Sequence, residues 1–349
     1  MHEDFSEDDF ALIHALQLWP RAPWAALAPV LDASPTALAQ RWARIRDAGL
    51  AWITAYPEYG ELSGGAMVAL VEMDCAPGAV DDVAGRLERT HRVHNVEHVA
   101  QGRDLLLTVA ASSFGELSAL LLDELPKLPG VASLHSHIGT KRHIEGSQWQ
   151  LDALDSAQRE AIRQAGRAER DRPSEPIYLR SDVFAPLVSA LAHDGRATAA
   201  ELAERLGRPT STVRRQLAAL LRSRALRLRC EVAQLHTRWP IAVIWWCRLP
   251  NSALPAAVSR LREDPRVRLC VSVTGSANLV VNAWTASMAD LMSMQDDLEG
   301  LLPPGGIVSN SVILRTRKRV GWLMHADGRC TGEVVPLPGP LAEPAGRHP

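Results

Sequence analysis

An internal echo constrains this chain more than any other feature: residues 12–50 align with residues 187–225 without a gap, an offset of 175. Leu12, Ala15, Leu16, Arg21, Ala22, Leu27, Ala28 and Leu31 fall on Leu187, Ala190, Leu191, Arg196, Ala197, Leu202, Ala203 and Leu206. After each stretch the apolar pattern reads strand-helix-strand over a similar length. Repetition of this kind predicts paired recognition before a single catalytic pocket.

Within the first stretch, residues 10–19 and 24–31 carry apolar residues at helical spacing. Ser34 then stands as an N-cap ahead of Pro35, whose missing N–H is harmless at the first helical position. A third helix runs to about residue 48 with Leu38, Trp42 and Ile45 on its apolar side, and Gly49 stops it. Three short helices with a tight turn before the last predict a helix-turn-helix, repeated over residues 182–192, 199–206 and 212–221.

Strand patterns follow at 65–75, 93–100, 105–111 and 133–138, interleaved with helical ones at 80–87 and 114–125. The order β-α-β-β-α-β predicts a ferredoxin-like sheet with two helices on one face, and residues 243–314 repeat it. The expected fold class is therefore α+β, with two winged helix-turn-helix domains alternating with two ferredoxin-like (βαββαβ) domains. The expected boundaries are 1–60, 65–145, a linker at 146–180, 181–235, 240–320 and a disordered tail at 330–349.

Composition narrows the function classes. The 349 residues are 46% apolar and 22% charged, as in soluble globular proteins. The acidic start (Glu3, Asp4, Glu7, Asp8, Asp9) argues against export, and no apolar run reaches membrane length. A cytoplasmic protein with no membrane partner is expected. The five cysteines are scattered, which fits neither a disulfide framework nor a thiolate metal site. No metal, no cofactor and no enzymatic activity are expected.

A net charge of −2 is silent on nucleic acid, so placement of charge decides. Residues 205–229 hold eight arginines and no acid: Arg205, Arg208, Arg214, Arg215, Arg222, Arg224, Arg227 and Arg229. Thr210, Ser211 and Thr212 add hydroxyls at the start of the third helix, suited to phosphate, while arginine forks suit guanine edges. Double-stranded DNA is the expected partner. Ser34, Thr36, Gln40, Arg41 and Arg44 are the poorer counterparts in the first stretch. Gly102 and Asp104, and Gly275 and Asn278, interrupt strand pairs and are candidates to hold an amino acid or other small effector. Half of the twelve histidines fall between His91 and His143, with His135 and His137 on one strand face, yet no zinc signature accompanies them.

The segments ALAHDGRATAAELAERLGRPTSTVRRQLAAL and VTGSANLVV, with AQGRDLLLTV in the first half, resemble the Lrp/AsnC family of transcriptional regulators in a tandem form. The resemblance covers residues 8–142 and 182–320, with two helix-turn-helix plus ligand-domain units. It implies operator binding, an amino-acid effector near the glycine hinges and homo-oligomers built through the ferredoxin-like domains. Pro209 replaces a serine cap, Arg224 a helix-ending glycine, and Ala277-Asn278 an aromatic-aspartate pair. A related branch includes siroheme decarboxylases, which use histidines and arginines on a tetrapyrrole. The histidine-rich first half keeps that alternative open, as it does a non-DNA-binding assembly module.

Overall fold

The computed structural model describes residues 5–58, 67–100, 102–170, 182–223 and 225–337. In chain order, α1 (Glu7–Leu18), α2 (Trp24–Leu27), α3 (Pro35–Asp47) and β1 (Ala51–Pro57) come first. Next are β2 (Met67–Cys75), α4 (Val80–Glu88), β3 (Val93–Val99), β4 (Leu105–Ala111), α5 (Phe114–Ala119) and β5 (Val131–Ile144). A helical stretch follows, with α6 (Ser156–Arg170), α7 (Ala185–His193), α8 (Ala199–Leu206), α9 (Thr210–Arg222) and β6 (Leu226–Val232). The last elements are β7 (Ile241–Cys247), α10 (Leu254–Glu263), β8 (Val267–Val273), β9 (Leu279–Thr285), α11 (Met288–Leu301), β10 (Ile307–Arg319), β11 (Trp322–Met324) and β12 (Cys330–Val334).

These elements sort into two compact units. A helical unit comprises residues 1–58, 150–233 and 329–349, and a barrel unit comprises 59–149 and 234–328. In the helical unit, Ser6 caps α1 and Thr198 caps α8, each closing a reciprocal capping box with the third helical residue. β1 pairs antiparallel with β6 over seven residues, Ala51 opposite Val232 and Pro57 opposite Leu226. The close approach behind this ladder needs Gly195, whose N–H donates to the Ile53 carbonyl at 2.7 Å. A Cβ there would lie 2.5 Å from Ile53 Cγ2, well inside contact distance. Two arginines fasten the triplets reciprocally. Arg21 donates to the Gly195 and Ala197 carbonyls, and Arg196 to the Pro20 and Ala22 carbonyls.

The segment expected as a linker is largely packed. His14 Nδ1 accepts from the Ala153 and Leu154 N–H groups, Gln17 accepts from Leu151 N–H, and Leu151, Leu154 and Ile162 are buried. Its residues 171–180 lie outside the described residues, as does Arg224. Disorder from residue 330 onward is corrected in part: Cys330–Val334 form β12, while 338–349 lie outside the described residues.

The barrel unit holds two four-stranded antiparallel sheets, in the orders β3-β4-β2-β5 and β8-β9-β7-β10. Pairing of β5 with β8 and of β10 with β3 joins them edge to edge, so eight strands close into one barrel. Closure leaves no open edges between the two sheets. Outside, α4 and α5 cover Val71, Met73, Leu105 and Leu107, and α10 and α11 cover Val243, Trp245, Leu279 and Val281. Inside lie Leu70, Leu106, Ile244, Trp246, Val271 and Val280. The expectation of two helix-turn-helix domains alternating with two ferredoxin-like domains is thus corrected. Both halves of the chain contribute to one continuous barrel, and the helices gather in one winged-helix region whose β1 and β6 pair with each other. The local patterns did not encode which edges meet.

Candidate functional site

Helix α9 starts where Gly207 turns the chain left-handed (φ 62°) after α8, and Pro209 leads into the first turn. Val213, Leu217 and Leu220 point into the core. That spacing forces the opposite face outward, so Thr210, Ser211, Arg214 and Arg215 are exposed and Thr212 is half-buried. Neither Arg214 nor Arg215 has an ion pair or hydrogen bond among the described residues. The rest of the arginine cluster divides. Arg208 forks onto the Asp182 and Val183 carbonyls, Arg227 pairs with Glu58, and Arg229 with Glu231.

On α3, Ser34 caps the helix through Ala37 N–H at 3.1 Å, and Thr36 and Gln40 are exposed. Its arginines are engaged. Arg41 reaches Asp8 at 2.8 Å and Asp9 at 3.6 Å, while Arg44 reaches Asp9 at 2.5 Å. Asp9 is only 2% exposed.

In the barrel unit both glycine hinges turn with positive φ, 81° at Gly102 and 118° at Gly275. Their polar partners secure strand ends. Asp104 accepts from Cys75 N–H at 2.8 Å, and Asn278 both accepts from Leu249 N–H and donates to the Leu249 carbonyl. Asn278 also borders a cleft of about 510 Å³ with Arg248, Asn251 and Gly305. The structure brings the two hinges to either side of β5. Arg103 donates to Asp74 at 2.7 Å and to His135 Nε2 at 3.2 Å. The next inward residue, His137, meets Glu72 at 3.1 Å and packs on Trp246, with ring centroids 4.2 Å apart. A Cβ on Gly275 would stand 3.1 Å from His137 Nδ1, so glycine makes room for the imidazole.

The Ser133 hydroxyl and the Arg103 guanidinium hold the Asp74 carboxyl below its usual range. Here an ionised carboxylate, a guanidinium and two oriented imidazoles line one rim, a set that can bind a carboxylate and move a proton. Elsewhere in the barrel unit, Arg268 stacks on Trp284 at 3.6 Å and Arg319 approaches the same ring at 5.2 Å. Burial raises the Glu97 carboxyl to about 6, against the pull of Arg319 and Arg268. Burial also depresses His94 to about 3, with Lys318 adding to the effect. Sequence reading passed over Glu72, Asp74 and Arg103. The period-two alternation around His135 and His137 was the available signal, but their partners lie on other strands.

Among the described residues no three His, Cys, Asp or Glu side chains come together as a metal site, and no helix is long and apolar enough to cross a membrane.

Comparisons with known proteins bear on this arrangement. The family model of the Lrp/AsnC ligand binding domain matches residues 68–149, and that of a helix-turn-helix domain matches residues 179–229. The chain therefore carries an AsnC-type ligand-binding domain and a helix-turn-helix domain. No curated protein matches it. The crystal structure of the siroheme decarboxylase NirDL is similar over 89% of this chain and 93% of its own, at 15% identity and a TM-score of 0.54. Its co-complex with an iron-uroporphyrin III analogue gives 14% identity, the same coverage and a TM-score of 0.56. AsnC from E. coli is 16% identical, over 38% of this chain and 91% of its own, with a TM-score of 0.32. The NirDL likeness establishes the fold.

Two expectations are corrected here. The tandem form with two complete units gives way to one ligand-domain match and one helix-turn-helix match, the remaining strands completing a barrel like that of NirDL. The expectation of no enzymatic activity does not stand either, since the fold is shared over most of the chain with a solved enzyme structure, that of NirDL.

Proposed function

We propose that the helical unit contacts double-stranded DNA through α9 and that the barrel rim takes a small carboxylate-bearing molecule, as in an effector-responsive transcriptional regulator of the cytoplasm. The DNA reading is carried by Arg214 and Arg215, which are exposed and unengaged on the outer face of a helix that follows a tight turn. Such a helix fits the major groove, where arginine forks read guanine and the hydroxyls of Thr210, Ser211 and Thr212 suit phosphate. Ser34, Thr36 and Gln40 on α3 offer only weaker positioning contacts. At the rim, Gly275 makes room for His137, Gly102 turns the chain beside Arg103, Asp104 and Asn278 fix the strand ends, and Arg103 supports carboxylate binding.

Binding-site selection followed by anisotropy titration tests this reading. Replacing Arg214 or Arg215 by alanine should cost about 1–3 kcal/mol where it reads a guanine. Where it holds phosphate, the salt slope should fall by about one. Unchanged affinity on replacing both removes α9 from the DNA interface.

The whole-length likeness to NirDL, broader than any likeness to a regulator above, favours a second reading in which the barrel is an enzyme acting on a tetrapyrrole. Arg103 would hold a substrate carboxylate, and His137, oriented by Glu72, would deliver the proton that replaces departing carbon dioxide. Iron uroporphyrin added to the protein should then shift in visible absorption, and His135→Ala with His137→Ala should abolish the shift. A flat titration with the unaltered protein ends this reading.

A further inference from the structure

The engaged arginines of α3 point to a second DNA surface held closed by the chain's own acids, and we infer that Asp9, assisted by Asp8, is the latch. This rests on the DNA reading of α9. Ala37, Gln40, Arg41 and Arg44 share one face of α3, with Leu38, Trp42 and Ile45 turned to the core. On that face the two guanidiniums converge on α1: Arg44 bonds Asp9 Oδ1 at 2.5 Å, Arg41 lies 3.6 Å from the same oxygen, and Arg41 also bonds Asp8 at 2.8 Å.

Asp9 is built for this position. Its second oxygen accepts from Ser6 N–H at 2.9 Å, and its own N–H donates to Ser6 Oγ, so the cap of α1 aims the carboxylate at α3. With 2% exposure it cannot turn away into solvent. A carboxylate there occupies guanidiniums that would otherwise bind a backbone phosphate. The 175-residue echo supplies the contrast: Asp8 and Asp9 align with Val183 and Phe184, and the second triplet has no acid at either position. By the same offset Arg41 and Arg44 fall on Gln216 and Ala219, so acids and arginines are absent there together, while the unengaged Arg214 and Arg215 stand at the places of Ala39 and Gln40. The latch makes the chain a one-reader DNA binder whose second reader engages when the Asp9 carboxylate is displaced or neutralised.

The test is a salt titration of the full chain on a selected duplex. Asp9→Asn keeps an oxygen for Ser6 N–H while removing the charge. Two released arginines add about 0.9 each to the salt slope, so the affinity of Asp9→Asn relative to the unaltered chain should fall about tenfold between 50 and 200 mM salt. Asp8→Asn, at a residue whose side chain is 71% exposed, tests the latch without disturbing the fold and should give a smaller change of the same sign. Adding Arg41→Ala and Arg44→Ala to Asp9→Asn should restore the original slope. If the unaltered chain binds while both asparagine variants keep its slope, the latch is overturned and the α9 reading stands. The latch also fails if Arg41→Ala with Arg44→Ala weakens the unaltered chain. Absence of binding by every variant overturns the DNA reading and the latch together.

Discussion

Arg41 and Arg215 are similar side chains on matching helices, and their neighbours leave the first engaged and the second exposed. The acids that restrain Arg41 stand 32 and 33 residues earlier in the sequence, where their visible meaning was only an acidic start. The exposure of Arg215 was legible, because three buried residues at helical spacing fix the outer face of α9. The engagement of Arg41 was not, since it depends on how α1 crosses α3. Lys318 shows the same dependence in a more extreme form. It is fully buried on β10, donating to the Thr90 carbonyl at 2.9 Å, and burial lowers it from 10.5 to about 7. Below pH 7 both folded and unfolded chains hold this proton, and the buried charge lowers stability in full. From about 7 towards 10.5 the native state loses it first, the unfolded state binds more protons, and the unfolding free energy rises. Against Lys318→Met, the unaltered protein should gain on the order of 5 kcal/mol across that range. Urea melts of both proteins at several pH values check this, and parallel pH curves contradict it.

At the scale of elements, the reciprocal arginines matter more than any single helix. Arg196 reaches two carbonyls of the other triplet and lies 3.9 Å over the Trp24 ring, while burial lowers its pKa to about 10. A lysine offers one nitrogen and no planar fork, so it cannot serve both carbonyls and the ring together. Arg196→Lys should therefore destabilise the helical unit by about 1–3 kcal/mol, seen as a lower urea midpoint, and Arg21→Lys should behave alike. A midpoint unchanged in both variants would remove the clamp from the account. Helices and strands themselves were readable from periodicity and caps. Ser34, Thr198 and Gly207 act as their residue types suggest. What alternation leaves open is the partner of an edge, because a strand's inward set is the same whichever neighbour it pairs with.

For the molecule as a whole, that open question decided the architecture. β5 pairs with β8 and β3 with β10, across segments that sequence order places in different halves. The four-domain reading failed at these joints, while the succession of strands and helices along each half was visible beforehand. The hinges illustrate the same limit: Gly102 and Gly275 could be singled out, but not that Arg103, next to Gly102, and Gly275 itself meet the histidines of β5. Residues 67–144 made alone would keep β3 and β5 as bare edges. That fragment should give aggregates or self-paired species on gel filtration, and a folded monomer would show that the half-sheet needs no partner.

The β1–β6 ladder has a consequence for how this chain is made. β1 is complete at residue 57, but its partner begins only at residue 226. At a ribosome's pace of about 5–20 residues per second, roughly 10–30 s pass before β6 emerges. Through that interval the strand AWITAYP, apolar and uncharged, is exposed to other growing chains. Slower elongation between residues 57 and 226 lengthens the hazard, so yield should depend on translation speed and on chaperones that shield that strand.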